Sequence, residues 1–323
     1  MPLKRKPLRL LDQVRYVLQA KRYSPRTEDA YTGWIRRFVL FHGKRHPALM
    51  GNAEVAQYLS YLAVNRKVAP STQNQALSAI LFLYRYVLDV EIGWIDDVVR
   101  ATRPKRIPLI LTAKEVRHLL SFLSGRPWLM ATILYGGGLR VMECCRLRVK
   151  DVDLELGQIT IRQGKGGKDR ITVLPQSVMP HLRRQLEYVR QVWQGDFRDG
   201  VSVTLPYALD RKYKNVGHEW GWAYLFPSKR TIVSKKTGAV LRHHIHVSVL
   251  QRAVRKASIA AKLPKPATPH TFRHSFATDL LMAGYDIRTV QELMGHARVE
   301  TTMIYLHVLN IGGLGVKSPA DYL

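Results

Sequence analysis

Over residues 1–100 the apolar positions recur at helical spacing. Tyr31, Trp34, Ile35 and Phe38 fall at i, i+3, i+4 and i+7, and Val55, Tyr58, Leu59 and Leu62 repeat the pattern. That period gathers each set into one apolar stripe on a helix. Leu77, Ile80, Leu81, Tyr84, Val87 and Leu88 continue it, with Ser71 and Thr72 after Pro70 read as helix caps. Four or so helices in a small bundle are predicted. The stretch ATRPKRIPLIL at 101–111 holds two prolines and three basic residues without a helical period, as an extended linker does. Directly after it, Thr112 and Glu115 form a T-x-x-E capping box ahead of Val116, Leu119, Leu120 and Leu123, so a helix opens a second domain.

Between 152 and 175 the period drops from 3.6 to 2. Ile159 and Ile161 alternate with Thr160 and Arg162, and Ile171 and Val173 follow the turn GKGGKD, which predicts a β-hairpin. Helical spacing returns at Leu182, Leu186, Val189 and Trp193. The segment 195–227 is looser, carries Tyr207, Tyr213, Trp220, Trp222 and Tyr224, and is read as an insertion. Helices resume from 246 through 262, over 270–283 and over 287–294, ahead of a glycine-rich tail from Gly312. The chain is thus expected to be mainly α with a small antiparallel β-sheet: a helical domain at 1–100, a linker at 101–111, and an α+β domain at 112–323.

Composition changes the picture chiefly through charge. The 323 residues include 51 Lys and Arg against 24 Asp and Glu, a formal net charge of +27. Residues 1–110 hold 19 basic and 8 acidic side chains (+11), leaving 32 and 16 (+16) for 111–323. Charge spread over both domains, rather than packed into a tail, suits a protein that grips nucleic acid along an extended surface. With 46% hydrophobic residues the chain has enough apolar material for a core in each domain, which excludes wholesale disorder. No apolar run approaches the ~18 residues of a membrane span, and charge and proline interrupt the basic N-terminus before a signal-peptide core. The two cysteines, Cys144 and Cys145, are adjacent and form no disulfide framework. A cytoplasmic protein without a membrane partner is expected.

Four short stretches concentrate chemistry beside glycines: GGGLRVMECCRL (136–147), GKGGKDR (164–170), HTFRH (270–274) and GHARVETTMIY (295–305). Taken singly, each residue has an ordinary role: Arg140 on a surface, Lys165 in a hairpin turn, His270 at a helix end, Tyr305 in a core. Taken together they meet the needs of phosphodiester cleavage, which are a nucleophile, neutralisation of the non-bridging oxygens and a proton for the leaving 5′ oxygen. Arg140 and Arg273 offer bidentate forks for a phosphate. His270 and Arg273, three residues apart, share one helix face. Lys165 can donate a proton, His296 can hydrogen-bond a phosphate oxygen, and Tyr305 carries a phenol.

The order R…K…H-x-x-R…H…Y, with GLR followed by Glu143 and with Tyr305 nine residues beyond the histidine of LMGH, resembles the tyrosine recombinase (phage integrase) family. The resemblance runs from about 112 to 309, and the preceding helices resemble that family's SAM-like core-binding domain. It implies that Tyr305 attacks the scissile phosphate to form a 3′-phosphotyrosine. Arg140, Arg273, His270 and His296 would then surround that phosphate, with Lys165 the general acid and Glu143 orienting the site. It further implies a homotetramer at synapsis, a monomer when free, and association with the bacterial nucleoid when bound. The tail at 306–323 would dock on a neighbouring protomer, with packing in cis as the alternative.

LPYALDRKYKNVGHEWGWAYLFPS (205–228) with RHH at 242–244 is similar to the additional segment of integron integrases. That likeness implies cassette integration and excision at a duplex attI site and a folded single-strand attC hairpin. Trp220, Trp222 and Tyr224 offer stacking faces for a splayed base, and His243 or His244 a stack or a phosphate contact; for each residue, packing within the insertion is the alternative. Other readings are a Xer-type or phage integrase acting on duplex sites only, a type IB topoisomerase, and a DNA-binding regulator without chemistry. No metal is expected, because Thr271 stands where a zinc-protease helix needs Glu and Arg273 adjoins His274. No cofactor is expected either: GKGGKDR fails the nucleotide-loop pattern at Arg162 and Asp169.

Overall fold

A computed structural model describes residues 9–92, 108–162, 169–206, 209–213, 215–234, 237–306 and 320. The chain divides into two compact units, Met1–Arg106 and Ile107–Leu323.

The first unit holds α1 (Leu10–Ala20), α2 (Pro25–Phe41), α3 (Asn52–Val64) and α4 (Pro70–Leu83). Ser24 starts α2 by accepting a hydrogen bond from the Thr27 backbone N–H, with Pro25 at the first helical position, where its missing N–H is not needed. The apolar stripes read in sequence close on one another: Trp34, Ile35 and Phe38 of α2, Val55, Tyr58, Leu59 and Leu62 of α3, and Leu77 and Ile80 of α4 are buried in one cluster. Each such Ile, Leu or Phe contributes roughly 1.5–3 kcal/mol by leaving water. Ser71 and Thr72 do not cap α4. Pro70 already occupies its first position and Ala69 precedes it, so both lie inside the first turn.

The second unit begins with α5 (Ala113–Ser121), whose Thr112–Glu115 capping box forms as the sequence predicts: the Glu115 N–H donates to Thr112 Oγ1 at 3.2 Å and the Thr112 N–H to Glu115 Oε2 at 2.8 Å. Residues 101–107 of the expected linker lie outside the described residues. Its last residue, Leu111, is buried and donates its N–H to Ser275 Oγ at 2.9 Å.

Next come α6 (Gly125–Gly137), α7 (Val141–Arg146), β1 (Val152–Asp153), β2 (Gln158–Ile161), β3 (Arg170–Val173) and α8 (Met179–Arg198). These are followed by β4 (Ser202–Val203), α9 (Leu209–Lys212), β5 (Pro227–Val233) and β6 (Val240–His244), then by α10 (Val247–Ala260), α11 (Pro269–Met282), α12 (Ile287–Met294) and α13 (Glu300–Met303). The core centres on α6, where Met130, Ile133 and Leu134 pack with Leu119, Leu250, Val254 and Phe272.

The predicted hairpin is β2 and β3, paired antiparallel with Ile159 opposite Thr172 and with β1 on the outer side of β2. A second sheet, in the order β4-β6-β5, has β4 parallel and β5 antiparallel to β6. Periodicity misses it because Ile232, Val233 and Val240 are exposed and the register shifts between Pro227 and Thr231, so no clean alternation marks the strands. The architecture is mostly helical with two small sheets, one antiparallel and one mixed. Among the described residues no helix is long and apolar enough to cross a membrane.

Candidate active site

Glu143 is the point on which three arginines converge. Arg140 is the residue before α7, and its backbone N–H donates to Glu143 Oε2 at 2.8 Å while its Nη1 donates to Oε1 at 2.7 Å. Arg170, the first residue of β3, donates Nη1 to Oε1 at 3.0 Å and Nη2 to Oε2 at 2.6 Å. Arg273 of α11 brings Nη1 to 3.8 Å from Oε2. Burial alone would raise the Glu143 carboxyl, but the hydrogen bonds and charge of Arg170, together with those of Arg140, hold it down at about 2. One carboxylate facing three guanidiniums leaves two positive charges uncompensated, an arrangement that an anion completes.

The backbone fixes these arginines in place. Arg170 Nε donates to Leu293 O at 2.9 Å, and Arg140 Nη2 to Gly295 O at 3.3 Å. Arg273, only 4% exposed, donates Nη1 to Gly138 O and Nη2 to Met294 O. Burial, with the charge of Arg140, pulls its guanidinium down to about 9 against the opposing pull of Glu143. Two glycines permit the close approach: Gly138 has φ +64° and a Cβ there would lie 2.4 Å from the Phe276 ring, while Gly295 has φ +60° and a Cβ would lie 2.7 Å from Arg170 Cδ.

His296 follows Gly295 and points back at the cluster. Arg273 can only donate, so its Nη2, 3.2 Å away, makes His296 Nε2 an acceptor; the ring proton is then on Nδ1, which donates to Thr302 Oγ1 at 2.9 Å. Burial and the charges of Arg273 and Arg140 push this imidazole down to about 4. His270 is exposed in the first turn of α11, behind the Thr268 cap, where helix N–H groups favour an anion. Partial desolvation and the charges of Arg273 and Arg140 lower it as well.

Tyr305 is 1% exposed, among Phe276, Ala277, Val290 and Met294. Its hydroxyl is 2.9 Å from Nδ1 of His274, and its ring lies 6.4 Å from that of His296, nearly parallel. Burial raises the phenol, while Arg273 and Arg140 pull the other way, which places the hydroxyl within their field. Of the residues singled out in sequence, Arg140, Glu143, His270, Arg273, His296 and Tyr305 thus gather at one place, and Lys165 lies outside the described residues. Sequence reasoning missed Arg170, although it ends the quoted GKGGKDR, and gave His274 a part only as a rejected metal ligand.

The insertion residues gather elsewhere, around Arg148. This buried guanidinium donates to Trp222 O at 2.5 Å, Thr204 O at 2.8 Å and Tyr224 Oη at 3.1 Å. Tyr224 and His244 are buried, and the His243 and His244 rings are 3.9 Å apart. His243 Nδ1 hydrogen-bonds Thr204 Oγ1 at 2.7 Å. The rings of Tyr224 and His244 are therefore enclosed and present no open face to a base. Trp220 and Trp222 are half-buried, the first beneath Arg190 at 4.4 Å and the second beneath Lys150 at 2.9 Å.

Residues 110–310 match the model of the phage integrase family, and residues 10–94 match that of the phage integrase N-terminal SAM-like domain. Proteins called integrase/recombinase from Escherichia coli and Pseudomonas aeruginosa are each 49% identical over 317 residues, which is 98% of this chain and 94% of theirs. A tyrosine recombinase XerA from Thermococcus kodakarensis is 32% identical, over 94% of this chain and 92% of its own. Among solved structures, the Tn1549 transposon integrase in complex with transposon right end DNA matches with a TM-score of 0.62 at 18% identity, over 97% of this chain and 96% of that one. A lambda integrase dimer bound to a COC′ core site matches with a TM-score of 0.60 at 17% identity, over 92% and 93%. At these identities the two structures speak to the fold.

Proposed function

This chain belongs to the phage integrase family of tyrosine recombinases, and from that premise we propose that it is a site-specific DNA recombinase that breaks and rejoins strands through a 3′-phosphotyrosine at Tyr305. The observation that carries the reading is the Tyr305 hydroxyl within the field of a cluster of three arginines gathered on one glutamate. In this mechanism a scissile phosphate enters the cluster, where Arg140 and Arg273 neutralise its non-bridging oxygens and His270 and His296 hydrogen-bond them. The Tyr305 oxygen bonds to phosphorus, the 5′ oxygen leaves, and Lys165, in the connection between β2 and β3, supplies its proton. A 5′ hydroxyl from another strand reverses the attack without a high-energy cofactor, since the phosphotyrosine retains the ester. Glu143 holds Arg140 and Arg170 in register throughout.

The +27 charge shared by both units supports a grip on DNA from both domains. The aromatic-rich insertion, with Trp220 and Trp222 only half-buried, supports cassette integration and excision at attI-like duplexes and attC-like hairpins by a synaptic tetramer. The tail at 306–323, all but residues 306 and 320 of it outside the described residues, is the element we assign to exchange between protomers. A second reading, a Xer-type or phage integrase confined to duplex sites, is favoured by the enclosure of Tyr224 and His244, which leaves fewer rings for a splayed base.

Covalent trapping tests both. Wild type and Tyr305→Phe are mixed with a nicked attI-like duplex and with a folded attC-like hairpin, and denaturation-resistant protein–DNA bands are scored. Adducts on both substrates that require Tyr305 support the cassette reading, whereas an adduct on the duplex alone supports the second. If Tyr305→Phe still forms an adduct, the nucleophile is misassigned.

A further inference from the structure

Attack by Tyr305 releases a phenolic proton; of the groups assigned so far only the His270 imidazole could take it, and among the described residues no hydrogen bond joins that ring to the Tyr305 hydroxyl. His296 Nε2 already accepts from Arg273, and its Nδ1 carries the proton given to Thr302. Arg140, Arg170 and Arg273 cannot accept a proton at all, and Glu143 is engaged by Arg140 and Arg170 on both oxygens. His274 differs. It lies on α11 directly after Arg273, on the turn following His270, and its Nδ1 is 2.9 Å from the Tyr305 hydroxyl oxygen.

We propose that His274 is the general base of strand cleavage: its Nδ1 accepts the proton of the Tyr305 hydroxyl as the phenol oxygen bonds to phosphorus. The inference rests on the recombinase reading above. In balance, the Tyr305 O–H bond breaks and its proton passes to Nδ1 of a neutral imidazole. The electron pair left on oxygen forms the O–P bond, the P–O5′ bond breaks, and the leaving oxygen is protonated by Lys165. No other reactant is needed. On religation the imidazolium returns the proton to the phenol.

Geometry meets the first requirement of a base, hydrogen-bond reach of the proton it takes. The charges facing His274 are His270 and Arg273 on its own helix and His296 and Tyr305 across the site. Burial, reinforced by His270 and Arg273, holds the imidazole down at about 4, so the ring is neutral at neutral pH, and with its proton on Nε2 it has Nδ1 to accept with. A bound phosphodiester brings a negative charge beside those cations and favours the imidazolium, strengthening the base when substrate is present. Burial raises the phenol meanwhile, so spontaneous phenolate is scarce and an acceptor matters more.

The test is single-turnover cleavage of a nicked duplex between pH 6 and 9 by wild type, His274→Asn and His274→Ala, with DNA affinity and thermal melting recorded for each. Asn keeps an oxygen near the place of Nδ1 that accepts the hydroxyl's hydrogen bond but cannot take its proton. We expect His274→Asn to bind DNA as wild type does and to cleave about 100-fold or more slowly at pH 7. Its rate should climb about tenfold per pH unit as phenolate replaces the missing base, while the wild-type rate stays comparatively level, and added imidazole should partly restore His274→Ala. A substrate with sulfur in place of the bridging 5′ oxygen, whose leaving thiolate needs no proton, should rescue Lys165→Ala and leave His274→Asn slow. A wild-type rate in His274→Asn overturns the proposal. So does a slow rate with the wild-type pH profile and no response to imidazole, which would mean that His274 only holds the tyrosine. If wild type itself forms no adduct, the recombinase reading fails rather than the assignment of the base alone.

Discussion

Arg170 and Glu143 meet through two parallel hydrogen bonds, 3.0 and 2.6 Å long, which tie the hairpin strand β3 to the helix α7 that begins just after Arg140. The pair therefore links the base of the loop that carries Lys165 to the arginine beneath the phosphate position. Both partners are largely buried, with side-chain exposures of 9% and 11%.

Removing the carboxylate should damage fold and chemistry together. Glu143→Ala leaves buried guanidiniums facing one another without compensation, and loss of one partner from a buried pair destabilises by about 3–5 kcal/mol. The urea midpoint should fall accordingly. Cleavage should be lost even under conditions where the variant remains folded.

The same carboxylate makes stability acid-sensitive. Its folded value of about 2 lies below the ordinary 4.5, so its contribution is present above pH 4.5 and is lost as pH falls toward 2. The full shift is worth about 3 kcal/mol at order of magnitude. Denaturant titrations of wild type and Glu143→Gln at pH 7, 4 and 3 should show their difference shrinking with acid. A constant difference would mean that the carboxylate is not held ionised.

His296 should act in a higher window. Its imidazole is depressed to about 4 from 6.5, so the folded state binds the proton less readily than the unfolded chain does. Its contribution is complete above pH 6.5 and declines as pH falls toward 4, by at most about 3 kcal/mol because the ring is partly solvated. His296→Gln should flatten the decline in unfolding free energy between pH 6.5 and 4.5 seen for wild type.

Gly295→Ala should be costly despite adding one methyl. Alanine in the left-handed region costs about 1–2 kcal/mol, and the new Cβ would fall 2.7 Å from Arg170 Cδ, pushing that side chain off Glu143. We expect a lower melting temperature and cleavage reduced more than DNA affinity, read by trapping and by gel shift on the same duplex.

Binding itself should be strongly salt-dependent. If six or more phosphates are contacted, affinity for a duplex site should drop by ~10³-fold between 50 and 200 mM salt. A flat titration would remove the case for an extended phosphate grip.

What could be read from the sequence was whatever repeats locally. The stripes of α2 and α3, the Thr112–Glu115 capping box and the alternation of β2 and β3 are each set by neighbours a few residues apart, and each forms. The resemblance pointed to six residues that the fold gathers from positions 140 to 305. Arg170 stayed hidden because its partner is 27 residues away in sequence, and nothing periodic marks such a pair. Tyr224 read as a stacking face because an aromatic in an insertion looks the same in sequence whether it awaits a base or covers a buried arginine. Only the tertiary position of Arg148 separates the two. The sequence presents His274 only beside Arg273, as a poor metal ligand, whereas its neighbour in space is Tyr305.

The arginines of the site are moored largely to main-chain carbonyls: Gly138 and Met294 for Arg273, Leu293 for Arg170 and Gly295 for Arg140. A carbonyl belongs to every residue type, so point mutations along 293–295 that respect the turn at Gly295 leave the moorings in place. A one-residue deletion or insertion there would shift three of the four at once. Drift in this lineage should accordingly tolerate changes of letter in that stretch while forbidding changes of length, and the spacing from Met294 to Tyr305 should be a firmer signature of a working copy than the identities between them.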